Sequence, residues 1–238
     1  MFLAEGLRIL TEAADCGHLP EFIFFAREGG QHPLTQRLID AVEMKGGEAI
    51  ETSRDILAKL SGKDNPQTVI GVYREFDTSL DNIDRTTADI WIVAQALRDP
   101  GNLGTMLRTG DAVRAGGLIL VDDCVDPFSV ESVRATMGAI FTQRIATAHW
   151  PDFLTWLRSG PGQLVGTSLN ATHDYQAPRY AVPTFILVGN EAQGLPPEYE
   201  IECDMLVKIP MLGSADSLNV AVATAVMAYE VLNQRRPR

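Results

Sequence analysis

The sequence is short of cysteine, histidine and net positive charge, and each shortage removes a class of protein. Cys16, Cys124 and Cys203 are odd in number, far apart and free of any C-x-x-C pair. A disulfide framework or a zinc site needs paired thiols, so a reducing compartment, the cytoplasm, is expected. His18, His32, His149 and His173 show no ligand spacing such as H-E-x-x-H, and no metal is expected. No window approaches the ~18 uninterrupted apolar residues of a membrane span. The opening MFLAEGLRILTEAADCGHLPEF carries acids where a signal peptide has basic and then apolar residues, so neither membrane nor export is expected. Neither G-x-x-x-x-G-K-[ST] nor G-x-G-x-x-G occurs, which argues against triphosphate and dinucleotide loops.

Net charge is −11 over 238 residues, the wrong sign for a general nucleic-acid coat. The cations are mostly arginine, and Arg98, Arg108, Arg114, Arg134 and Arg144 lie close together in sequence. Arginine suits bidentate phosphate recognition better than lysine does. Two readings stay open: five unrelated surface or ion-paired arginines, or a local phosphate-binding patch. An apolar share of 45% is ordinary for a soluble globular chain, and the length allows two modest domains or one large one.

Residues 1–76 alternate helix-like and strand-like pieces. EGLRILTEAADCG is a helix ending near Gly17, EFIFFAR a strand, TQRLIDAVEMKGG a helix and QTVIGVYREF a strand. DTSLDNIDRTTAD, residues 77–89, is polar and has no core pattern, so a linker is expected there. From residue 90 apolar strands (IWIVAQAL, LILVDD, QLVGTSL, FILVG) alternate with amphipathic helices. That pattern indicates an α/β domain with a parallel sheet covered on both faces, and ligands belong at the C-terminal strand ends. The last helix, DSLNVAVATAVMAYEVLNQ, is apolar on much of its circumference, as in a central or subunit-interface helix. The chain closes on QRRPR, a short basic end expected to fray.

Three segments carry candidate chemistry. In RDPGNLGTMLRTGDA, Asn102 stands at the expected helix N-cap, and Arg108 projects from the side opposite the apolar stripe. A capped amphipathic helix with a solvent arginine is the plainer alternative. In VGNEAQGLP, Gly189 and Gly194 let the backbone approach a ligand closely, while Glu191 repels phosphate and can accept hydrogen bonds. An ordinary strand–loop–helix turn remains open. In IPMLGSADSLNVAVATAVMAYE, Ser217 and Asn219 flank the start of the long helix, and Ser217 is the candidate cap.

In this order and spacing the segments resemble the SpoU (TrmH-type) family of RNA ribose 2′-O-methyltransferases. Asn102, Gly104 and Arg108 match its N-x-G-x-x-x-R motif, and Gly189, Glu191 and Gly194 its G-x-E-x-x-G motif. Ile209, Pro210, Met211, Ser217, Leu218, Asn219 and Val220 match its I-P-M…S-L-N-V motif. DPFSVESVRATMGAIF looks like the stretch leading to its R-A-S-x-G segment, with Thr136 in place of serine; Ala221 stands where many members have serine. The resemblance covers residues 90–233; residues 1–76 look more loosely like the family's L30e-like substrate-binding domain.

The resemblance implies a catalytic domain at 90–238 with a C-terminal trefoil knot, a homodimer joined through it, and S-adenosylmethionine as cofactor. It implies cofactor contacts at Thr167, Leu169, Gly189, Asn190, Gly194, Ile209, Met211, Leu218 and Asn219. Asn102, Arg108, Glu191, Ser217 and Asn219 become the catalytic set for methylating a ribose 2′-hydroxyl, and Arg98, Arg108, Arg134 and Arg144 the contacts to a structured RNA, rRNA being favoured over tRNA by the added N-terminal domain. Arginine's pKa above ~12 makes it a poor general base, so Arg108 is expected to grip phosphate and stabilise the forming alkoxide. The alternatives are an RNA-binding module without catalysis and a knotted methyltransferase acting on a base nitrogen.

Overall fold

Apolar runs without alternation become strands buried on both faces, and the computed structural model, which describes residues 1–236, is built around one such set. Pro237 and Arg238, the end of the basic tail, lie outside the described residues. The chain divides into two compact units, one made of 1–76 and 126–142, the other of 77–125 and 143–238. Among the described residues no helix is long and apolar enough to cross a membrane.

The first unit runs β1 (Phe2–Glu5), α1 (Leu7–Asp15), β2 (Phe22–Ala26), α2 (Arg27–Gly30), α3 (Pro33–Met44), β3 (Glu48–Thr52), α4 (Arg54–Ser61) and β4 (Val69–Tyr73). Its sheet has the order β1-β4-β2-β3, antiparallel except for the parallel β2–β3 pair. β1, β3 and α4 add to the elements expected from the sequence: β1 is four residues long, and β3 (EAIET) carries two acids where β2 (FIFFA) is wholly apolar. Residues 126–142, with α6 (Val130–Ala135), pack on β1. The ring of Phe2 stacks on Phe128 at 5.2 Å, and Phe141 lies 4.8 Å from the ring of Tyr73. Phe2, Tyr73 and Phe141 are buried and Phe128 half-buried, so these aromatics tie residues 126–142, which follow β6 in the chain, to the core of the first unit.

The second unit runs β5 (Ile90–Gln95), α5 (Pro100–Val113), β6 (Gly117–Val121), β7 (Arg144–Ala148), α7 (Trp150–Arg158), β8 (Gln163–Thr167), β9 (His173–Asp174), β10 (Thr184–Val188), α8 (Pro197–Glu202), β11 (Met205–Lys208) and α9 (Val220–Arg235). All seven strands are parallel, in the order β7-β6-β5-β10-β8-β11-β9. Every residue of β5, β6 and β10 is buried, as a sheet covered by helices on both faces requires. Helices α5 and α9 pack together on one face. On the other, Trp150, Phe153 and Leu157 of α7 join Trp91, Val93, Phe185 and Leu187 in one core. Strand β10 enters late in the chain between β5 and β8, pairing Ile186 with Ile92 on one side and Val165 on the other.

Residues 77–89, polar and aperiodic, are not a free tether but part of the second unit. Arg85 is only 8% exposed: its guanidinium donates to the carbonyls of Leu157 and Trp156 at the end of α7 and lies 3.9 Å over the Trp156 ring. A cation satisfying the last carbonyls of a helix makes a polar segment fold without an apolar pattern.

Candidate active site

The loops leaving the C-terminal ends of β8, β10 and β11 wall a cleft of about 410 Å³, within the usual range for small ligands. Thr167, Leu169, Gly189, Asn190, Gly194, Ile209, Met211 and Leu218 all line it. The loop after β10 is tightly wound. A Cβ at Gly189 would stand 2.2 Å from the Gly194 carbonyl carbon, and Gly194 itself takes φ +70°. The two strands of the loop close on each other through Gly194 N–H to Asn190 carbonyl, 2.9 Å. The Asn190 side chain accepts from Ala192 N–H at 2.9 Å and donates to the Ala96 carbonyl at 2.8 Å. Ala96 sits at φ +48°, a conformation non-glycine residues rarely take, so the end of β5 is strained where it meets this loop.

On the other side of residues 190–192 and 217–220 lies an open groove of about 720 Å³, lined also by Arg98, Asp99, Pro100, Asn102 and Asn219. Asn190, Glu191, Ala192, Ser217, Leu218 and Val220 line both cavities and form their common wall. Within the groove one chain of hydrogen bonds fixes the amides of Asn102 and Asn219. Glu191 accepts from the N–H groups of Arg98 (3.3 Å) and Asp99 (3.1 Å) and from Asn102 Nδ2 (3.2 Å). Asn102 thereby turns its Oδ1 to Asn219 Nδ2, 2.9 Å away. Asn219 Oδ1 in turn accepts from Ala221 and Val222 N–H. Burial alone raises the Glu191 carboxyl, but hydrogen bonds from its own N–H, Asn102, Asp99 and Arg98 outweigh it and hold the pKa below the usual carboxylate range.

Two caps differ from the sequence expectation. Asp99, not Asn102, caps α5: its Oδ1 accepts from Asn102 N–H at 2.7 Å, with Pro100 opening the helix. An Asp-Pro pair suits N-cap and N1, and it frees the Asn102 side chain for Glu191. Likewise Asn219, not Ser217, caps α9, while Ser217 Oγ donates to Asp216 at 3.2 Å. Asn219 consequently lines the groove rather than the cleft.

The arginines are divided between the two units. Arg134 lies exposed on α6 in the first unit, whereas Arg98, Arg108, Arg114 and Arg144 belong to the second. Arg98 lines the groove and pairs with Asp123; Arg144 donates to the Asn82 carbonyl at 2.8 Å. Arg108 is exposed on α5, lines neither cavity, and has no hydrogen bond or ion pair among the described residues. Within one chain the geometry therefore joins Asn102, Glu191, Ser217 and Asn219, and leaves Arg108 apart. The sequence reading also missed Ser168, Asn170, Glu200, Lys208 and Asp216 in the cleft. Lys208 and Asp216 adjoin motif residues and were within reach of a wider reading; Glu200 is delivered by α8, which has no sequence signal.

The fold and the paired cavities define an α/β enzyme of the kind that holds a small ligand at the ends of parallel strands. Comparison with known proteins is specific. The SpoU rRNA Methylase family model matches residues 89–229, and an MRM3-like substrate binding domain model matches residues 1–71. The chain belongs to the SpoU rRNA methylase family. It is 30% identical, over 98% of its length and 83% of the relative's, to a 23S rRNA (uridine(2479)-2′-O)-methyltransferase of Streptomyces viridochromogenes. It is also 30% identical to the 23S rRNA (guanosine(2553)-2′-O)-methyltransferase RlmP of Bacillus subtilis (strain 168), over 97% and 88% of the two chains. The AdoMet-bound rRNA methyltransferase from Sinorhizobium meliloti superposes with a TM-score of 0.91 at 36% identity, covering 99% of this chain and 88% of that one.

Proposed function

We propose that this chain transfers the methyl group of S-adenosylmethionine to a ribose 2′-hydroxyl of ribosomal RNA. The observation that carries this reading is the shared wall. A glycine-rounded cleft and an open polar groove meet at Glu191 and Ser217, so a ligand in one can present a group to a ligand in the other. Leu169, Ile209, Met211 and Leu218 suit an adenosine, and the tight Gly189–Gly194 loop lets backbone groups reach it. S-adenosylmethionine bound in the cleft would supply an electrophilic methyl to the 2′-oxygen and leave as S-adenosylhomocysteine; the chain supplies alignment, and the hydroxyl proton leaves to water in the open groove. Asn102 and Asn219, each locked in one orientation, position the ribose, with Glu191 fixing Asn102. Arg108 lines neither cavity of its own chain, so it would grip an RNA phosphate and stabilise the alkoxide at the site of a second copy in a homodimer. Mapping 2′-O-methyl sites in rRNA from a deletion strain and its parent tests the function: one site must vanish on deletion. Loss of a base methylation instead would assign a different chemistry.

Further features belong to the same reading. The insertion of β10 between β5 and β8, and the return of 209–219 to α9, support a C-terminal trefoil knot. The mixed four-stranded sheet supports an L30e-like substrate-binding domain at 1–76. The exposed Val222 and Tyr229 on α9 support a homodimer through the second unit, which sedimentation would detect. Arg98, Arg108, Arg134 and Arg144 contact the RNA, with Arg134 carried by the first unit. The work is cytoplasmic and needs no metal. The base role of Arg108 is tested by Arg108→Lys: recovery of much of the activity lost in Arg108→Ala, with a shifted alkaline limb, would favour it over phosphate binding.

A further inference from the structure

The groove contains a cation that is already spoken for. Its charged lining is Arg98, Asp99 and Glu191, and both acids are committed: Asp99 caps Asn102 N–H, and Glu191 holds the backbone of Arg98 and Asp99 and the amide of Asn102. Glu191 thus pins the Arg98 main chain at the groove while leaving its side chain free to choose a partner. That partner is Asp123, through a single contact of Nη1 to Oδ2 at 3.0 Å, with the side chains 59% and 87% exposed. Asp123 has no other hydrogen bond among the described residues. Its neighbours are fastened on both sides: Asp122 accepts from Trp150 N–H (3.0 Å) and Tyr199 OH (2.8 Å). Cys124 Sγ accepts from Leu97 N–H at 3.3 Å, and Val125 N–H donates to the Leu97 carbonyl at 2.7 Å. The backbone that presents the Asp123 carboxylate beside the arginine is therefore fixed, while the contact itself stays exposed and exchangeable.

We infer that Asp123 is a placeholder for RNA phosphate on Arg98, a specificity device in which the phosphate next to the target ribose must displace a carboxylate. The inference rests on the proposed function and deepens it. An exposed, single-contact ion pair is weak, whereas a phosphate can take the guanidinium through two parallel hydrogen bonds. A phosphate in register with Asn102 and Asn219 makes the exchange; one out of register meets a neutralised arginine and two acids. Asp123 thus lowers affinity for every RNA, and least for the correctly seated substrate, whose phosphate replaces the single contact with two. This matches an enzyme with net charge −11 whose partner is a polyanion.

The test is a double-mutant cycle on Asp123→Asn and Arg98→Ala, using a 23S rRNA transcript as probe. Filter binding gives Kd at several salt concentrations, and transfer of tritiated methyl gives KM and kcat. Asp123→Asn is expected to tighten RNA binding and lower KM roughly two- to fivefold. It should steepen the salt dependence by about one charge, with kcat unchanged. In the Arg98→Ala background the same substitution should gain nothing. An unchanged Kd in Asp123→Asn, or a gain that survives in full without Arg98, overturns the placeholder role. Failure of the wild type to methylate the transcript would instead count against the proposed function, while the binding cycle still decides the role of Asp123.

Discussion

The cleft and the groove share a wall but are built by different means. The cleft depends on a tightly wound backbone loop: Gly189 has no room for a Cβ against Gly194, and Gly194 itself takes φ +70°. The groove is made by side chains, an unbroken sequence from Glu191 through Asn102 and Asn219 to the start of α9. A backbone site tolerates change in its side chains but not in its dihedrals. A side-chain network tolerates neither loss nor isosteric exchange, because each amide is oriented by the one before.

Gly189→Ala should break the cleft most severely. Its Cβ would collide with the Gly194 backbone, and overpacking of this kind predicts a loss of S-adenosylmethionine affinity on the order of tenfold to a hundredfold by calorimetry. Asn102→Ala should show the converse signature: kcat down about tenfold or more with cofactor Kd unchanged, since Asn102 lines only the groove. Acid should act on the groove before the cleft. The folded pKa of Glu191 is depressed, so its hydrogen bonds are intact above the ordinary carboxylate range and are lost as pH falls through that lowered value. Methyl transfer should fall on that acid limb, and Glu191→Gln should remove the limb along with much of the rate. The smallest effect belongs to Leu169→Ala: with the residue 63% exposed, cofactor Kd should weaken only about two- to threefold. Equal effects of Asn102→Ala and Gly189→Ala on cofactor binding would erase the distinction between the two regions.

The parallel sheet was legible because β5, β6, β8 and β10 are apolar runs of strand length, and the site because its three motifs lie at strand ends. The network was not legible. Asn102 and Asn219 are separated by 117 positions, and only the folded chain shows that their amides meet. The caps were misplaced by three residues at α5 and two at α9, because Asp, Asn and Ser all cap well and tertiary partners decide which does. Arg85 was hidden for a different reason: its partners are carbonyls of α7 and a tryptophan face, which leave no periodic trace. Membership of 126–142 in the first unit was equally silent, since it depends on Phe2 meeting Phe128.

The position of β10 has a consequence for synthesis. Its Thr184 pairs with Ile90, so one edge of β5 emerges from the ribosome long before its neighbour is made. Until then that apolar edge is open to any passing strand, and so is the facing edge of β8. Pairing over such a sequence distance is slow, and unpaired edges invite association between chains. Chains halted before residue 184 should therefore aggregate, whereas chains released after β10 need only close the slot.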